Sequence, residues 1–183
     1  IVEDQDHTYS LRETGLAIAC ISTEPKPRRG CTAQPLGSMR YRLVASVDFQ
    51  RRYFPNGMTR EAARKAPVVA YTRKDALQSS FLLQNFGLPE GAYPCHYVPG
   101  TEPRFNAIRY GLGYGMVPEL LLEEALAGGE VVDLAPRQPL DVPLYWHTWK
   151  VQSPRMEYLS HKVVEAAPRI LGTRSVVAAT QQG

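Results

Sequence analysis

The sequence contains no apolar run near the length of about 18 residues that suggests a membrane-spanning helix. Its first residues, Ile-Val-Glu-Asp-Gln-Asp, are acidic and lack the basic start and apolar core of a signal peptide. We therefore expect no membrane partner for this chain.

Cysteine is also scarce. Cys20, Cys31 and Cys95 are the three cysteines of the 183 residues, and no two have the C-x-x-C spacing. An odd number without this spacing argues against a disulfide framework and against a zinc site. Cys20 lies in the apolar run 16–21 and is predicted to be a buried small hydrophobe. A reducing, cytoplasmic setting fits this cysteine usage.

Motifs of catalysis are missing too. The sequence has no G-x-S-x-G, no H-E-x-x-H and no P-loop. Cys95 and His96 are adjacent in a predicted strand and face opposite sides, so they cannot act as nucleophile and base. Four histidines show no metal-ligand spacing: His7, His96, His147 and His161. We expect neither an enzyme nor a cofactor, although a small-molecule enzyme is a third hypothesis.

The glycines of GLGYG (residues 111–115) raise the alternative of nucleotide binding. A dinucleotide fingerprint follows a strand and opens a helix, whereas this run follows a predicted helix and enters a predicted strand. It is interpreted as a tight turn with close backbone packing.

Charge of one sign is not concentrated anywhere. Twenty-one basic and 18 acidic residues give a net charge of +3. The densest basic cluster is Lys26, Arg28 and Arg29, between prolines and a glycine. A solvated loop explains this cluster better than a nucleic-acid surface, which usually concentrates its basic residues on one element.

Strands and helices alternate along the chain, which predicts an α/β fold of mainly parallel sheets flanked by helices. The stretch 41–134 is self-contained, whereas the flanking segments are too short to stand alone. The sequence thus predicts two lobes linked by two crossing strands, with a ligand cleft between them. The expected parts are lobe I (1–40), lobe II (41–138), a crossing strand and returning helix (139–171), and a flexible tail (172–183).

The sequence also predicts where several helices begin and end. Asp75 is expected to cap a helix to residue 86 in a capping box with Gln78, and Thr101 is expected to cap the next helix. Pro118 is placed at the first position of a helix. Pro168 is expected to end or kink the last one.

Polar residues recur just after predicted strands, where open α/β sheets bind ligands. Helix N-termini at Asp75 and Thr101 offer N–H groups to a carboxylate, and Asp75 and Glu102 offer charge to a cation. A zwitterion with a positive side chain would use both, although caps alone explain Asp75 and Thr101 as well. Trp146 could wall the cleft, and core packing is its alternative role. The predicted effector-binding residues are Ser22, Thr23, Tyr71, Asp75, Thr101, Glu102 and Trp146.

Four stretches resemble a known family. They are YFPNGMTREAARKAPVVAY (53–71), LQNFGLPEGAYPCHYV (83–98), GMVPE and PLYWHTW, and the opening VEDQDHT and LRETG also fit. They resemble the effector-binding domain of LysR-type transcriptional regulators, in particular the arginine- and lysine-responsive ArgP/LysG/IciA group. The resemblance extends from Val2 to about Leu171.

The resemblance implies a two-lobed, type 2 periplasmic-binding-protein-like fold, with lysine or arginine as effector and control of basic amino-acid export genes. It further implies a homodimer or homotetramer that binds DNA through an N-terminal helix-turn-helix, which this chain lacks. By the same resemblance, the first strand and helix of lobe I are expected to be missing. We therefore expect effector binding that is weak or that needs help from another chain; micromolar binding of lysine by calorimetry would refute this. A solute-binding protein for transport is the alternative function.

Overall fold

The structure is a computed structural model, and it describes residues 18–171. The opening stretches VEDQDHT and LRETG and the tail predicted at 172–183 lie outside the described residues. The chain divides into two compact units: unit 1 comprises residues up to Met39 and from Asp141 onward, and unit 2 comprises Arg40–Leu140.

Seven strands and six helices follow one another along the described residues. In chain order they are β1 (Ala19–Ser22), β2 (Cys31–Ser46), α1 (Val47–Tyr53), α2 (Arg60–Lys65), β3 (Val68–Ala70), α3 (Ala76–Phe86), β4 (Cys95–Tyr97), α4 (Thr101–Arg109), β5 (Gly115–Pro118), α5 (Glu123–Ala127), β6 (Val131–Asp133), β7 (Leu140–Trp149) and α6 (Pro154–Leu171).

Unit 1 is built on antiparallel strands. β1 pairs with β7 so that Ile21 lies opposite Trp146, and β7 lies beside β2. The amphipathic helix α6 contributes Ala167 to a core that also contains Leu36, Leu144 and Trp146. Burial of these apolar side chains is the main force that holds the helix to the unit.

Unit 2 contains both strand directions. The last residues of β2 pair antiparallel with β5 and with β6, whereas β3 pairs parallel with β4. A parallel bridge between Val68 and Tyr114 links β3 to the start of β5. The unit has its own core, made by Val44, Val69, Ile108, Val117, Leu122, Ala125 and Val131.

The α/β class is confirmed, but the expectation of mainly parallel sheets is wrong for the long strands. β2 extends over 16 residues, the first ten of which precede the stretch 41–134 that was predicted to be self-contained. β1 contains part of the apolar run 16–21. Its Cys20 is buried, as predicted, and so is Ser22, whereas Ile21 between them is 38% exposed. Such alternation is what an antiparallel strand with one solvated face shows.

Two proline predictions are corrected. Pro118 ends β5 with φ −55° and ψ 132° and is the N-cap of a short 3₁₀ helix (Glu119–Leu121), one position before the predicted one. The helix α5 follows from Glu123. Pro168 lies inside α6, which continues to Leu171, so the expected helix end is wrong, whereas the alternative of a kink stays a prediction. A proline removes one helical hydrogen bond, and burial of the adjacent Ala167 helps to offset that loss.

The glycine-rich turn 111–115 is confirmed as a packing feature. Gly111 has φ +81°, which favours glycine. A Cβ on Gly113 would lie 2.5 Å from the Pro67 carbonyl oxygen, and one on Gly115 would lie 2.7 Å from that of Val69. Side chains are excluded here because β3 and β5 approach each other closely.

Candidate functional site

The carboxyl ends of β3 and β4 lie side by side in unit 2. Ala70 pairs with Tyr97, and the Val98 N–H donates to the Ala70 carbonyl at 2.9 Å. Helix α3 begins shortly after β3, and α4 shortly after β4. As a result, four of the predicted effector residues follow the same end of two neighbouring strands: Tyr71, Asp75, Thr101 and Glu102.

Asp75 is the N-cap of α3, as the sequence predicts. Its Oδ1 accepts the Leu77 N–H at 3.1 Å, and its Oδ2 accepts the Tyr71 N–H at 3.2 Å. The carboxylate therefore fixes the turn between β3 and α3. Since an ionised carboxylate has about four acceptor positions, these two bonds leave capacity for a cation, and the role of ligand contact stays a prediction.

The cap predicted at Thr101 is wrong. Gly100 occupies the N-cap position with φ +97°, and α4 has no side-chain cap. Only glycine readily adopts this backbone conformation, so the chain turns into the helix one residue earlier than expected. Thr101 and Glu102 become exposed residues of the first turn, where N–H groups lack intrahelical partners and favour negative charge.

Aromatic and thiol groups lie beside this edge. Burial raises the pKa of the Cys95 thiol, so it is protonated at neutral pH and a poor nucleophile. The Arg73 guanidinium carbon lies 5.2 Å from the ring centroid of Tyr97, a cation–π distance. The surroundings are therefore suited to binding a polar molecule rather than to thiol chemistry.

The pKa of Tyr93 is raised from 10.0 to about 12, chiefly by burial, with Cys95 and Glu90 adding to the effect. Because the folded pKa lies above the unfolded one, the contribution of neutral Tyr93 is complete below pH 10 and is lost as pH rises through about 12. We expect the free energy of unfolding, measured by urea denaturation, to fall across this window and to fall less steeply in Tyr93→Phe. The exposed Tyr158 supplies the control, since Tyr158→Phe should keep the wild-type slope.

The other three predicted residues belong to unit 1. Ser22 is buried, and its hydroxyl accepts the Glu24 N–H at 3.2 Å, while Thr23 is half-buried. Trp146 is 9% exposed, and its Nε1 donates to the Ser160 hydroxyl of α6 at 3.0 Å. Trp146 is thus part of the core of unit 1, and ligand contact by Trp146, Ser22 and Thr23 stays a prediction.

A cavity of about 730 Å³ lies elsewhere in unit 2, lined in part by Asp48, Arg52, Tyr53, Tyr110 and Glu130. Arg109, which also lines it, is paired with Glu130 at 2.9 Å. The predicted effector residues do not line this cavity. Within residues 18–171 no cluster of potential metal ligands and no helix able to cross a membrane is found.

Sequence reasoning missed two buried polar residues near the site. Gln78 does not complete a capping box: its Oε1 accepts the Met116 N–H at 2.7 Å. Arg104 donates from Nη1 to the Met116 carbonyl at 2.5 Å. Gln78 precedes the buried Phe81 and Leu82 by three and four residues. Arg104 precedes the buried Ile108 by four residues. Helical spacing therefore places both on the buried faces of their helices, a signal that could have found them.

Comparison with known proteins shows extensive similarity. The model of the LysR substrate binding domain family matches residues 6–167. The HTH-type transcriptional regulator ArgP of Aeromonas salmonicida is 37% identical over 93% of this chain. The HTH-type transcriptional regulator LysG of Mycobacterium bovis is 43% identical over 91% of it.

A solved structure of a LysG regulator is also similar to this chain. Full-length LysG from Corynebacterium glutamicum with bound effector Arg is 34% identical over 92% of this chain, with a TM-score of 0.80. The chain spans 57% of the length of both the Aeromonas ArgP and the Corynebacterium LysG chain.

Proposed function

Since this chain belongs to the LysR substrate-binding-domain family, we propose that it is the effector-sensing part of a bacterial transcription regulator that responds to arginine or lysine. Its relatives are transcription regulators, which gives no support to the alternative of a transport protein. The proposed role is binding without chemistry.

One observation carries the choice of ligand. At one edge of unit 2, the carboxylate of Asp75 lies at the end of β3, and α4, which has no side-chain cap, begins after the adjoining β4. A carboxylate favours a cationic group, and free N–H groups favour an anionic one. A basic amino acid presents both charges. The LysG structure with bound Arg supports this class of ligand.

The proposed location and partners are those of the regulators that this chain resembles. We propose a cytoplasmic regulator that assembles as a homodimer or homotetramer. It would bind DNA through a helix-turn-helix outside this chain and control basic amino-acid export genes. Effector binding would shift an equilibrium between two conformations by its differential affinity for them.

A titration followed by ¹⁵N NMR tests the proposal, because it detects weak as well as tight binding. Arginine or lysine should bind at least about tenfold more tightly than citrulline, a neutral isostere of arginine. The largest shifts should fall on the amides of Tyr71, Asp75, Thr101 and Glu102. Equal affinity for citrulline, or shifts confined to other parts of the chain, would contradict the proposed ligand.

A further inference from the structure

Two buried polar side chains of unit 2 converge on one residue of β5. Gln78 is 2% exposed and Arg104 is 6% exposed. Gln78 accepts the Met116 N–H at 2.7 Å, and Arg104 donates to the Met116 carbonyl at 2.5 Å. Side chains from two different helices thus hold both hydrogen-bonding groups that Met116 carries in its backbone.

Gln78 and Arg104 bind Met116 at the point where β5 no longer forms backbone hydrogen bonds with the β3 side. Tyr114 still has backbone partners on the β3 side: its N–H donates to Pro67 at 3.1 Å, and its carbonyl accepts from Val69 at 2.8 Å. Two residues later, the Met116 N–H bonds to Gln78 instead. The Gln78 amide therefore takes the place that a neighbouring strand would fill, at the carboxyl end of β3, where open α/β sheets bind ligands.

Each side chain comes from the start of a helix that carries predicted effector residues. Gln78 lies three residues after Asp75, at the start of α3, and Arg104 lies two residues after Glu102, at the start of α4. The two helix starts are consequently tied to the backbone of one residue, through the two peptide groups on either side of the Met116 Cα. A displacement of either helix start therefore strains the hydrogen bond that holds the other.

We propose that Gln78 and Arg104 are positioning residues that act through Met116 to couple the start of α3 to the start of α4. This inference rests on the proposed function, because it assumes that the effector contacts those two helix starts. Hydrogen bonds in a buried, low-dielectric setting are strong and directional. Contact of a ligand with Asp75 is thus transmitted to Thr101 and Glu102 without direct contact between these side chains.

The test compares two substitutions on α3. Gln78→Met preserves the length of the side chain and removes the bond to Met116. It also removes the buried Gln78 Nε2, which has no hydrogen-bond partner among the described residues, so the variant should fold. Leu82→Ala is the matched control, because Leu82 is fully buried on the same helix, one turn further on. Its truncation weakens the core but leaves the bonds to Met116 in place.

Amide hydrogen exchange is the direct readout. In Gln78→Met, exchange should rise on the order of tenfold at Met116, at Leu77 and also at Arg104, although Arg104 lies on the other helix. Leu82→Ala should not raise amide hydrogen exchange at Arg104 more than it raises exchange in the rest of unit 2. Gln78→Glu, which keeps an acceptor oxygen, should restore much of the protection at Arg104. Unchanged exchange at Arg104 in Gln78→Met would overturn the coupling.

Arginine titration of the same variants supplies the second readout. Affinity should fall on the order of tenfold in Gln78→Met and remain within about twofold in Leu82→Ala. An equal loss of arginine affinity in both variants would show that Gln78 contributes through packing alone and would contradict its positioning role. If the wild-type chain binds neither arginine nor lysine, the proposed function fails, whereas the exchange data still decide the coupling. If Gln78→Met does not fold, Arg104→Met examines the same coupling through exchange at Leu77.

Discussion

Gly113→Ala is expected to destabilise the chain by about 3 kcal/mol, because a methyl group at this position has no space. The added Cβ would lie 2.5 Å from the Pro67 carbonyl oxygen and 2.8 Å from the Val69 Cγ2 atom. The Pro67 oxygen also accepts the Tyr114 N–H at 3.1 Å, so relief of the clash would break one of the two hydrogen bonds that join the β3 side to Tyr114. Urea unfolding measures the loss.

Gly129→Ala is the matched control for this substitution. Gly129 has φ +68°, and a Cβ there would meet nothing within 4 Å. Its cost is conformational alone, about 1 kcal/mol. If the two variants lose the same stability, the close approach of β3 and β5 is not what requires glycine at position 113.

Asp75→Asn is expected to weaken arginine binding on the order of 30-fold, about 2 kcal/mol, while the free energy of unfolding changes by less than about 1 kcal/mol. The two effects separate because asparagine is an N-cap as good as aspartate. Its amide oxygen can still accept the Leu77 N–H that Asp75 Oδ1 accepts at 3.1 Å. The substitution removes the negative charge that would hold a cationic side chain. It also replaces the Oδ2 that accepts the Tyr71 N–H at 3.2 Å, and loss of that bond accounts for the small change in stability.

Two further variants make this result specific. Glu61→Gln removes an exposed acidic residue from α2 and should leave arginine affinity unchanged, which controls for net charge. Asp75→Ala removes both charge and cap and should cost about 1 kcal/mol of stability in addition. If Asp75→Asn binds arginine as tightly as the wild type, Asp75 is a helix cap and not a ligand contact.

Local sequence signals were reliable where neighbouring residues alone determine the backbone conformation. Asp75 directly before a helical pattern correctly indicated an N-cap, since its side chain reaches backbone N–H groups within a few residues. The glycines at 111, 113 and 115 correctly indicated a tight turn. The neighbouring cap at Thr101 failed because a positive φ at Gly100 can begin the helix one residue earlier, and the two starts have nearly the same sequence pattern.

Strand direction and partners were not available from the sequence. Residues 31–40 include Pro35 and Gly37, which weaken a strand pattern, and they nevertheless form the first part of β2. The partners of that long strand come from distant parts of the chain. An apolar stretch such as β1 fits either a parallel or an antiparallel neighbour, and only the pairing with β7 decided between them.

The sequence by itself determined the α/β class, the family resemblance and the polar residues after β3 and β4, because these depend on residue order and short-range spacing. Only the tertiary structure decided what the buried polar residues bind. Trp146 packs against Ser160, and Gln78 and Arg104 meet at Met116. The physical reason is that a hydrogen bond between residues 12 or 38 positions apart depends on the packing of whole helices against a sheet, which no local pattern records.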